Sequence, residues 1–318
     1  HEVDPSAVMA FFYYVLFGMM LSDAAYGILT VVGSAFALKK FPDMELKMRK
    51  TLRMFLFCGI STTVWGVLFG SYFGDAIPVI AQTFFHTEIT VPALWFEPLD
   101  DPMRLLIFSF GVGVAHLFTG LGVQFYQLAK QKKYADALYD VVFWYLLVGG
   151  LIVVLLSTEI FQNIAELPFV VPGPVAAVAG VLAGIGAVGI LFTAGRESRN
   201  PVKRFLKGLY GLYGVSSYLS DILSYSRLLA LGLATSVIST VFNQLGAMLG
   251  GGVVGAIFFA VVFLIGHSMN MAINLLGAYV HTNRLQFVEF FGKFYEGGGR
   301  AYAPFAANTK HFQIKEEK

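Results

Sequence analysis

Long apolar segments dominate this sequence, and charged residues are largely confined to the connections between them. The segments are 7–21, 24–38, 52–73, 103–128, 137–156, 171–193, 213–246 and 253–288. Because a helix needs about 20 apolar residues to cross a bilayer, these segments predict membrane spans. Only 13% of the residues are charged, against about 25% in a soluble domain, which also argues against a disordered chain. The predicted fold class is an all-α integral membrane protein, with residues 1–318 forming a single membrane domain.

The first two segments leave the number of spans open. Residues 7–38 form one apolar stretch that only Ser22 and Asp23 interrupt. As a hairpin, each arm would be about 22 Å long, which is short for a hydrocarbon core of about 30 Å. As a single helix, the stretch would be long and would bury an aspartate. Periodicity therefore does not decide between seven and eight transmembrane helices.

Basic residues mark every second connection. Of the 22 lysines and arginines, all but three lie in the regions 39–53, 130–133 and 196–207 or in the C-terminal tail. The intervening connections carry acidic residues instead, among them Asp75 and Glu97. Because lysine and arginine accumulate in cytoplasmic loops, the basic connections and the tail 289–318 are predicted to be cytoplasmic.

Two arginines, Arg227 and Arg284, lie inside the last two apolar segments. An arginine at mid-span costs about 2.5–3.5 kcal/mol on insertion scales, and it does not lose its proton to avoid that cost. Ser220 and Ser224 share one helix face with Arg227. Asp221 lies about 600° around the helix from Arg227, so these two are not an obvious ion pair.

A polar stripe runs along the last segment. It consists of His267, Asn270, Asn274, His281 and Arg284, whose spacing puts all five on one helix face. Within a membrane such a stripe must face water, another protein or a bound ion. The alternative interpretation is structural, because serine and asparagine can hydrogen-bond between helices and Arg284 can snorkel to the inner surface.

The last two segments are also long for single spans. Each would measure about 50 Å as a helix, well beyond a hydrocarbon core of about 30 Å. They must tilt steeply, kink or project from the bilayer. The prediction is a long, strongly tilted antiparallel pair joined by the uncharged turn at 249–252.

Other residues favour no catalytic or metal chemistry. Cys58 is the only cysteine, which excludes a disulfide and a cysteine metal site, and no phosphate-binding glycine loop is present. No cofactor is predicted, and the dispersed basic residues argue against nucleic acid as a partner. His116 hydrogen-bonds a neighbouring helix or lines an ion path, and Asp23 caps or turns the first hairpin.

Five motifs together resemble one known family. They are FGMMLSDAAYG (17–27), GVLFGSYFGD (66–75), SYSRLLAL (224–231), GHSMNMAIN (266–274) and HTNRLQFVEFFGKFYEGGG (281–299). The sequence resembles the large membrane stator subunit of V-type and A-type rotary ATPases, called a in eukaryotes and I in prokaryotes, over essentially its whole length. That family has a cytoplasmic N-terminal domain, absent from this chain, followed by eight membrane helices. The resemblance therefore implies a hairpin at Ser22 and Asp23.

The resemblance also implies a function. The family's subunit holds two ion half-channels against a proteolipid rotor ring (subunit c, K or L) and couples H⁺ or Na⁺ translocation to ATP hydrolysis or synthesis on other subunits. It implies that Arg227 faces the ring and that Arg284 is its partner. The implied partners also include other stator subunits, among them peripheral stalks bound through the missing N-terminal domain, and membrane lipids. The implied location is a prokaryotic plasma membrane.

Eight polar residues are candidates for lining the half-channels. They are Ser220, Asp221, Ser224, His267, Asn270, Asn274, His281 and Glu289, although Glu289 is equally well explained as a solvated residue at the inner surface. Eukaryotic members of the family carry histidines at Asp221 and Thr235 and a glutamate at Asn274, so the outer half-channel does not transfer residue by residue. The competing interpretation is an independent secondary transporter, but the sequence lacks the internal repeat common in those proteins.

Overall fold

The computed structural model describes residues 4–165, 170–196 and 200–295, and the predicted all-α fold class is confirmed there. The helices are α1 Ser6–Leu21, α2 Ala24–Lys40, α3 Leu46–Phe69, α4 Ala76–Phe85, α5 Pro102–Lys130, α6 Tyr134–Ala137, α7 Phe143–Leu156, α8 Glu159–Ala165, α9 Gly173–Thr193, α10 Pro201–Ser224, α11 Ser226–Ala247 and α12 Val253–Arg284. Two π-helical turns, Leu138–Val142 and Leu285–Phe290, continue α6 and α12.

Six of the described helical paths are long and apolar enough to cross a membrane by length and composition. They are Leu46–Phe69, Pro102–Lys130, Tyr134–Leu156, Gly173–Thr193, Pro201–Ala247 and Val253–Lys293. Helices α1 and α4 are apolar but shorter, and α2 has 17 residues. The protein is therefore a multi-pass membrane protein.

The chain reverses direction at Ser22 and Asp23. The pairs Tyr14–Phe57 and Gly18–Ser61 bring α1 against α3, and the pairs Ala24–Gly66 and Val31–Gly59 bring α2 against α3. Helix α1 consequently runs in the same direction as α3, and α2 runs in the opposite direction. A Cβ at Gly66 would lie only 2.0 Å from the backbone nitrogen of Ala24, so α2 meets α3 closely because residue 66 has no side chain.

Asp23 fixes this reversal as the N-cap of α2. Its Oδ1 accepts hydrogen bonds from the backbone N–H groups of Ala25, Tyr26 and Phe73, and its Oδ2 accepts from Ser71 Oγ and from the Gly74 N–H. The residue is fully buried. The expectation that Asp23 caps the first hairpin is confirmed, and the carboxylate also ties the hairpin to the loop after α3.

The structure differs from the sequence prediction at three places. The segment predicted at 213–246 begins earlier, at Pro201, because lysine and arginine lower hydropathy without ending a helix, and it breaks at Tyr225. The loop after α3 contains α4, which the spacing of apolar segments does not reveal. Glu289 and Phe290, predicted to begin a cytoplasmic tail, are buried. The rest of that tail, 296–318, lies outside the described residues.

Helices α11 and α12 pack antiparallel and carry the residues of interest. Their contacts extend from Gly246 and Phe259 near the connecting turn to Leu231 and Gly277. One side of this pair packs against α1 and α5, where Tyr225 lies against Gly113. The other side of α12 exposes large apolar residues, including Leu264, Ile265, Met269, Ile273, Leu276 and Val280.

Candidate functional site

The polar residues of α10, α11 and α12 separate into two groups. One group surrounds Arg227 near the end of α12, and the other surrounds His267 nearer its start. The single stripe predicted along the last helix is therefore divided between two different environments.

Arg227 forms an ion pair with Glu289. The helix break at Tyr225 puts Arg227 in the first turn of α11. Its Nη1 lies 3.3 Å from Glu289 Oε1, and the two side chains are 24% and 3% exposed. The Glu289 side chain is thus almost completely enclosed, whereas part of the Arg227 side chain remains accessible. Sequence spacing did not predict this pair.

Arg284 occupies a different environment from Glu289, although only five residues separate them. Arg284 is exposed at the end of α12, and Glu289 is buried in the π-helical turn after it. A π-helical turn adds a residue to the helix and changes the register of the residues beyond the turn. His281 is half-buried and close enough to both Arg227 and Arg284 to experience their charges. The structure thus pairs Arg227 with Glu289 and places His281 within electrostatic range of both arginines.

Asp221 pairs with Lys293, not with Arg227. Lys293 Nζ lies 2.5 Å from Asp221 Oδ2 and 3.8 Å from the centre of the Tyr218 ring. The face argument from the sequence thus agrees with the structure in separating Asp221 from Arg227. Lys293, counted as a tail residue in the sequence analysis, folds back against α10.

The two serines predicted to share a helix face with Arg227 lie in different surroundings. Ser220 is exposed, and Ser224 donates a hydrogen bond to the backbone carbonyl of Ser220 at 3.0 Å. Neither has a described side-chain bond to Arg227. Their spacing identified a shared helix face but not a contact.

The second group is a buried hydrogen-bond network around His267. The ring Nδ1 of His267 shares a hydrogen bond with the Tyr26 hydroxyl at 2.6 Å, and Nε2 shares one with Asn243 Oδ1 at 2.9 Å. Asn270 donates to Tyr26, Ser239 and the backbone carbonyl of Thr235, and Asn274 donates to Asn270. His267 and Asn270 bond residues of neighbouring helices, as the structural interpretation of the stripe expected for Asn270, whereas Asn274 bonds Asn270 of its own helix.

This network ends at a cavity near Asp75. Asn243 donates to Asp75 Oδ1 at 2.8 Å. A cavity of about 220 Å³ is lined by Asp75 and Glu97 together with Ser71, Ser236 and Thr240, among others. Burial, and next the charge of Asp100, raise the pKa of Glu97, which lies in the connection before α5. An acid-lined opening therefore adjoins the buried network.

His116 lies beside the Arg227 group, between α1 and the end of α12. Its ring stacks between Phe12 and Phe290, each with a centroid distance of 4.3 Å, and Nδ1 shares a hydrogen bond with the Tyr225 hydroxyl at 2.7 Å. The interhelical hydrogen bond expected of His116 is present. Tyr26, Asn243 and Lys293 are further site residues that sequence reasoning missed, and a tyrosine or asparagine in an apolar helix gives little signal.

Metal chemistry has no support in this site. Within residues 4–165, 170–196 and 200–295, no group of three or more histidine, cysteine, aspartate or glutamate residues is arranged to hold a metal ion. The described arrangement instead consists of a partly exposed arginine paired with a buried carboxylate, and of two sets of polar side chains. The positive charge of Arg227 can attract a second carboxylate.

Comparison with known proteins identifies similar chains. Residues 215–307 match the model of the V-type ATPase 116kDa subunit family. The chain is 33% identical to the A-type ATP synthase subunit I of Pyrococcus horikoshii, an alignment covering 100% of this chain and 45% of that protein. It is 31% identical to subunit I of Methanocaldococcus jannaschii (98% of this chain, 46% of that protein) and 27% identical to the V-type ATP synthase subunit I of Borreliella burgdorferi (97% and 50%). The chain spans about half the length of the curated relatives it matches.

Proposed function

Because the chain belongs to the V-type ATPase 116kDa subunit family, whose relatives are named subunit I of A-type and V-type ATP synthases, we propose that it is the membrane stator through which ions cross. It holds two offset half-channels against a proteolipid rotor ring and couples H⁺ or Na⁺ translocation to ATP hydrolysis or synthesis. ATP reacts on other subunits of the complex, and this subunit is non-catalytic.

The observation that carries this proposal is the environment of Arg227. A membrane arginine that served only structure would be expected to be enclosed by its partners, but the Arg227 side chain stays partly accessible beside an almost completely enclosed Glu289. The outward apolar side of α12 supports the same interpretation, because it suits contact with a lipid-embedded partner.

The proposed mechanism is electrostatic. A rotor carboxyl crosses the lipid in its neutral form, because a bare carboxylate there is very costly. When it reaches Arg227, the fixed positive charge favours the ionised form, so the carboxyl releases its ion into one half-channel and reloads from the other. Arg227 also opposes direct leakage between half-channels, because a fixed cation repels passing cations.

Arg284 is proposed as the partner of Arg227 in this exchange. The charges of Arg227 and Arg284 both act on His281, and no direct contact between the two arginines is described. Since Arg284 is exposed, its charge costs less to hold than that of Arg227. Its contribution is accordingly the smaller of the two.

The outer half-channel is proposed to run from the Asp75 and Glu97 cavity toward Asn274. The chain of hydrogen bonds Asp75–Asn243–His267–Tyr26–Asn270–Asn274 supports this path, because it is continuous from an opening into the helix pair. The network contacts the backbone of Thr235 and ends at Asn274, the two positions where eukaryotic members of the family carry a histidine and a glutamate.

The inner half-channel is proposed to approach Arg227 from the basic, cytoplasmic end of α12. Its candidate lining consists of Ser220, Asp221, Ser224 and His281. The exposure of Ser220 and the partial exposure of the Asp221–Lys293 pair support water access at this end.

Eight spans are proposed, with α1 and α2 as a short membrane hairpin. The opposite directions of α1 and α2 along α3 support this count. The residues before α1 and the connection 41–45, which basic residues flank at 39–40 and 47–53, then lie on the same, cytoplasmic side, with 86–101 outside.

Cysteine labelling in the whole complex tests this topology. With an impermeant thiol reagent, the exposed position of Glu88→Cys should react in intact cells, whereas Ser6→Cys and Lys47→Cys should react only after permeabilisation. The native Cys58 is buried and gives the background. Labelling of Ser6→Cys and Lys47→Cys from opposite sides would contradict the hairpin.

A strong tilt is proposed for the last helix pair. The paths Pro201–Ala247 and Val253–Lys293 contain 47 and 41 residues, far more than one perpendicular crossing needs. We expect the membrane-embedded parts to lie about 45° or more from the bilayer normal, which would let them follow the flank of a ring. An experimental structure of the complex in lipid measures these angles, and angles near the usual value of about 20° would contradict the proposal.

The proposed partners are those of the family. Besides the rotor ring, they are the other stator subunits, including peripheral stalks reached through the family's N-terminal domain, and membrane lipids. A prokaryotic plasma membrane is the proposed location, since the relatives are archaeal and bacterial proteins.

Ion uptake by vesicles containing the reconstituted complex tests the function as a whole. Transport should require the rotor ring and ATP, and it should depend on Arg227. A chain that transports ions without the ring would instead be a secondary transporter.

A further inference from the structure

Glu289 is a buried carboxylate that a half-channel lining does not explain. Only 3% of its side chain is exposed, so it does not border an open water path. Its Oε1 lies 3.3 Å from Nη1 of Arg227, the arginine proposed to meet the rotor carboxyl. The feature to explain is therefore why a buried acid is kept against the arginine that acts on the rotor.

The geometry points to Glu289 as the positioning residue of Arg227, an inference that rests on the proposed function. Arginine has five N–H donors in a planar fork, and Glu289 Oε1 accepts a hydrogen bond from one of them, at Nη1 of Arg227. The pair therefore holds the guanidinium from one side and leaves donors on the other side for a rotor carboxylate. A guanidinium held in advance in one orientation loses less conformational freedom when that carboxylate arrives.

The surroundings of Glu289 hold it in place. It lies in the π-helical turn after α12, where the adjacent Phe290 stacks on His116 of α5. The Gln286 amide lies beside the same His116 ring, and His116 is bonded to Tyr225 at the helix break just before Arg227. Glu289 and Arg227 are thus connected through packing as well as through their direct contact.

The two carboxylate oxygens of Glu289 differ in their contacts. Oε2 is buried and has no hydrogen-bond partner among the described protein atoms, as is true of Nε2 of His116 and both amide atoms of Gln286. The described protein thus fixes Glu289 through Oε1 and packing only. A positioning role needs the acceptor at Oε1 and the side-chain length, and it does not need the carboxyl to take up a proton.

Three substitutions in the whole complex separate these roles. Glu289→Gln keeps the side-chain length and the acceptor oxygen but removes the charge. Glu289→Asp keeps the charge but places it farther from Arg227, because the side chain is shorter. Glu289→Ala removes both the charge and the acceptor. For a positioning residue we expect Gln to keep most of the parent rate of ATP-driven ion uptake with an unchanged pH profile. Asp and Ala should each lose about tenfold or more, because small displacements of an acting group cost that much.

Glu45→Gln is the matched control, because Glu45 is an exposed glutamate before α3. Activity in the Asp variant with loss in the Gln variant would overturn the inference in favour of a titrating relay, and a fully active Ala variant would overturn it as well. If Ala fails to assemble, the comparison of Gln with Asp still decides. If Arg227 proves dispensable, the proposed function fails; if Arg227 is essential and Glu289→Ala is active, only this inference fails.

Discussion

Replacing Arg227 with glutamine in the whole complex is expected to abolish ATP-driven ion transport. Glutamine keeps much of the side-chain length but removes the fixed positive charge that favours the ionised rotor carboxyl. Without that charge the ion is not released, and the barrier to leakage between half-channels is lost as well. Ion uptake by reconstituted vesicles, with assembly measured in parallel, checks this expectation.

The partner of Arg227 changes how this experiment must be designed. Sequence reasoning alone suggests that Arg227→Ala leaves the complex assembled, since removing a costly charge should not destabilise a membrane helix. The structure adds Glu289, and loss of one partner from a buried ion pair typically costs about 3–5 kcal/mol. A single substitution therefore mixes the effect on function with an effect on stability.

The double variant Arg227→Gln with Glu289→Gln removes both charges and serves as the matched comparison. We expect it to assemble better than Arg227→Gln alone and to remain inactive. Transport at the parent rate in either variant would show that the proposed mechanism is wrong. A double variant that does not assemble would mean that Arg227 has a structural role.

Two further substitutions calibrate the result. Arg227→Lys should rescue transport poorly, because an ammonium lacks the planar fork that contacts two carboxylates at once. Arg284→Ala should have a milder effect, because Arg284 is exposed. Equal loss for both arginines would argue that the exposed one also contacts the rotor carboxyl.

Sequence reasoning locates the membrane helices well because hydropathy depends on composition alone. Most apolar segments, such as 103–128 and 171–193, correspond to helices, Pro102–Lys130 and Gly173–Thr193. It fails where a helix begins or breaks without a matching change in hydropathy. Helix α10 starts at Pro201 among basic residues, and the break at Tyr225 occurs inside the segment predicted as one helix at 213–246.

Only part of the site can be predicted from the sequence, for a related reason. Arg227 stands out because a charge in an apolar segment is costly, and this cost is a local property. Its partner Glu289 is 62 positions away, and Tyr26 is 241 positions from His267, so these pairs depend on tertiary packing. The stripe on the last helix was visible as a periodicity, but its division between two environments was not.

Replacing Asp23 with alanine is expected to cause the second large effect, a loss of stability and assembly. This buried carboxylate accepts five hydrogen bonds, four of them from backbone N–H groups. The bonds from Tyr26 and Ser71 are buried and the other three are partly buried. Leaving a buried donor unpaired costs about 1–3 kcal/mol, so the loss is a large fraction of the stability of a typical domain. The yield of assembled complex and its thermal unfolding temperature measure this loss.

Asp23→Asn should be intermediate, because its side-chain oxygen can replace Oδ1 as acceptor while its amide group cannot accept from Gly74. The same change at the exposed Asp4, whose described side-chain bonds are with Ser6, is the control and should leave assembly unchanged. The loss at Asp23 should also reach the outer network, because this residue caps the turn that carries Tyr26, the hydroxyl partner of His267. An Asp23→Ala complex that assembles and unfolds at the parent temperature would mean that the carboxylate neither holds the hairpin nor supports that network.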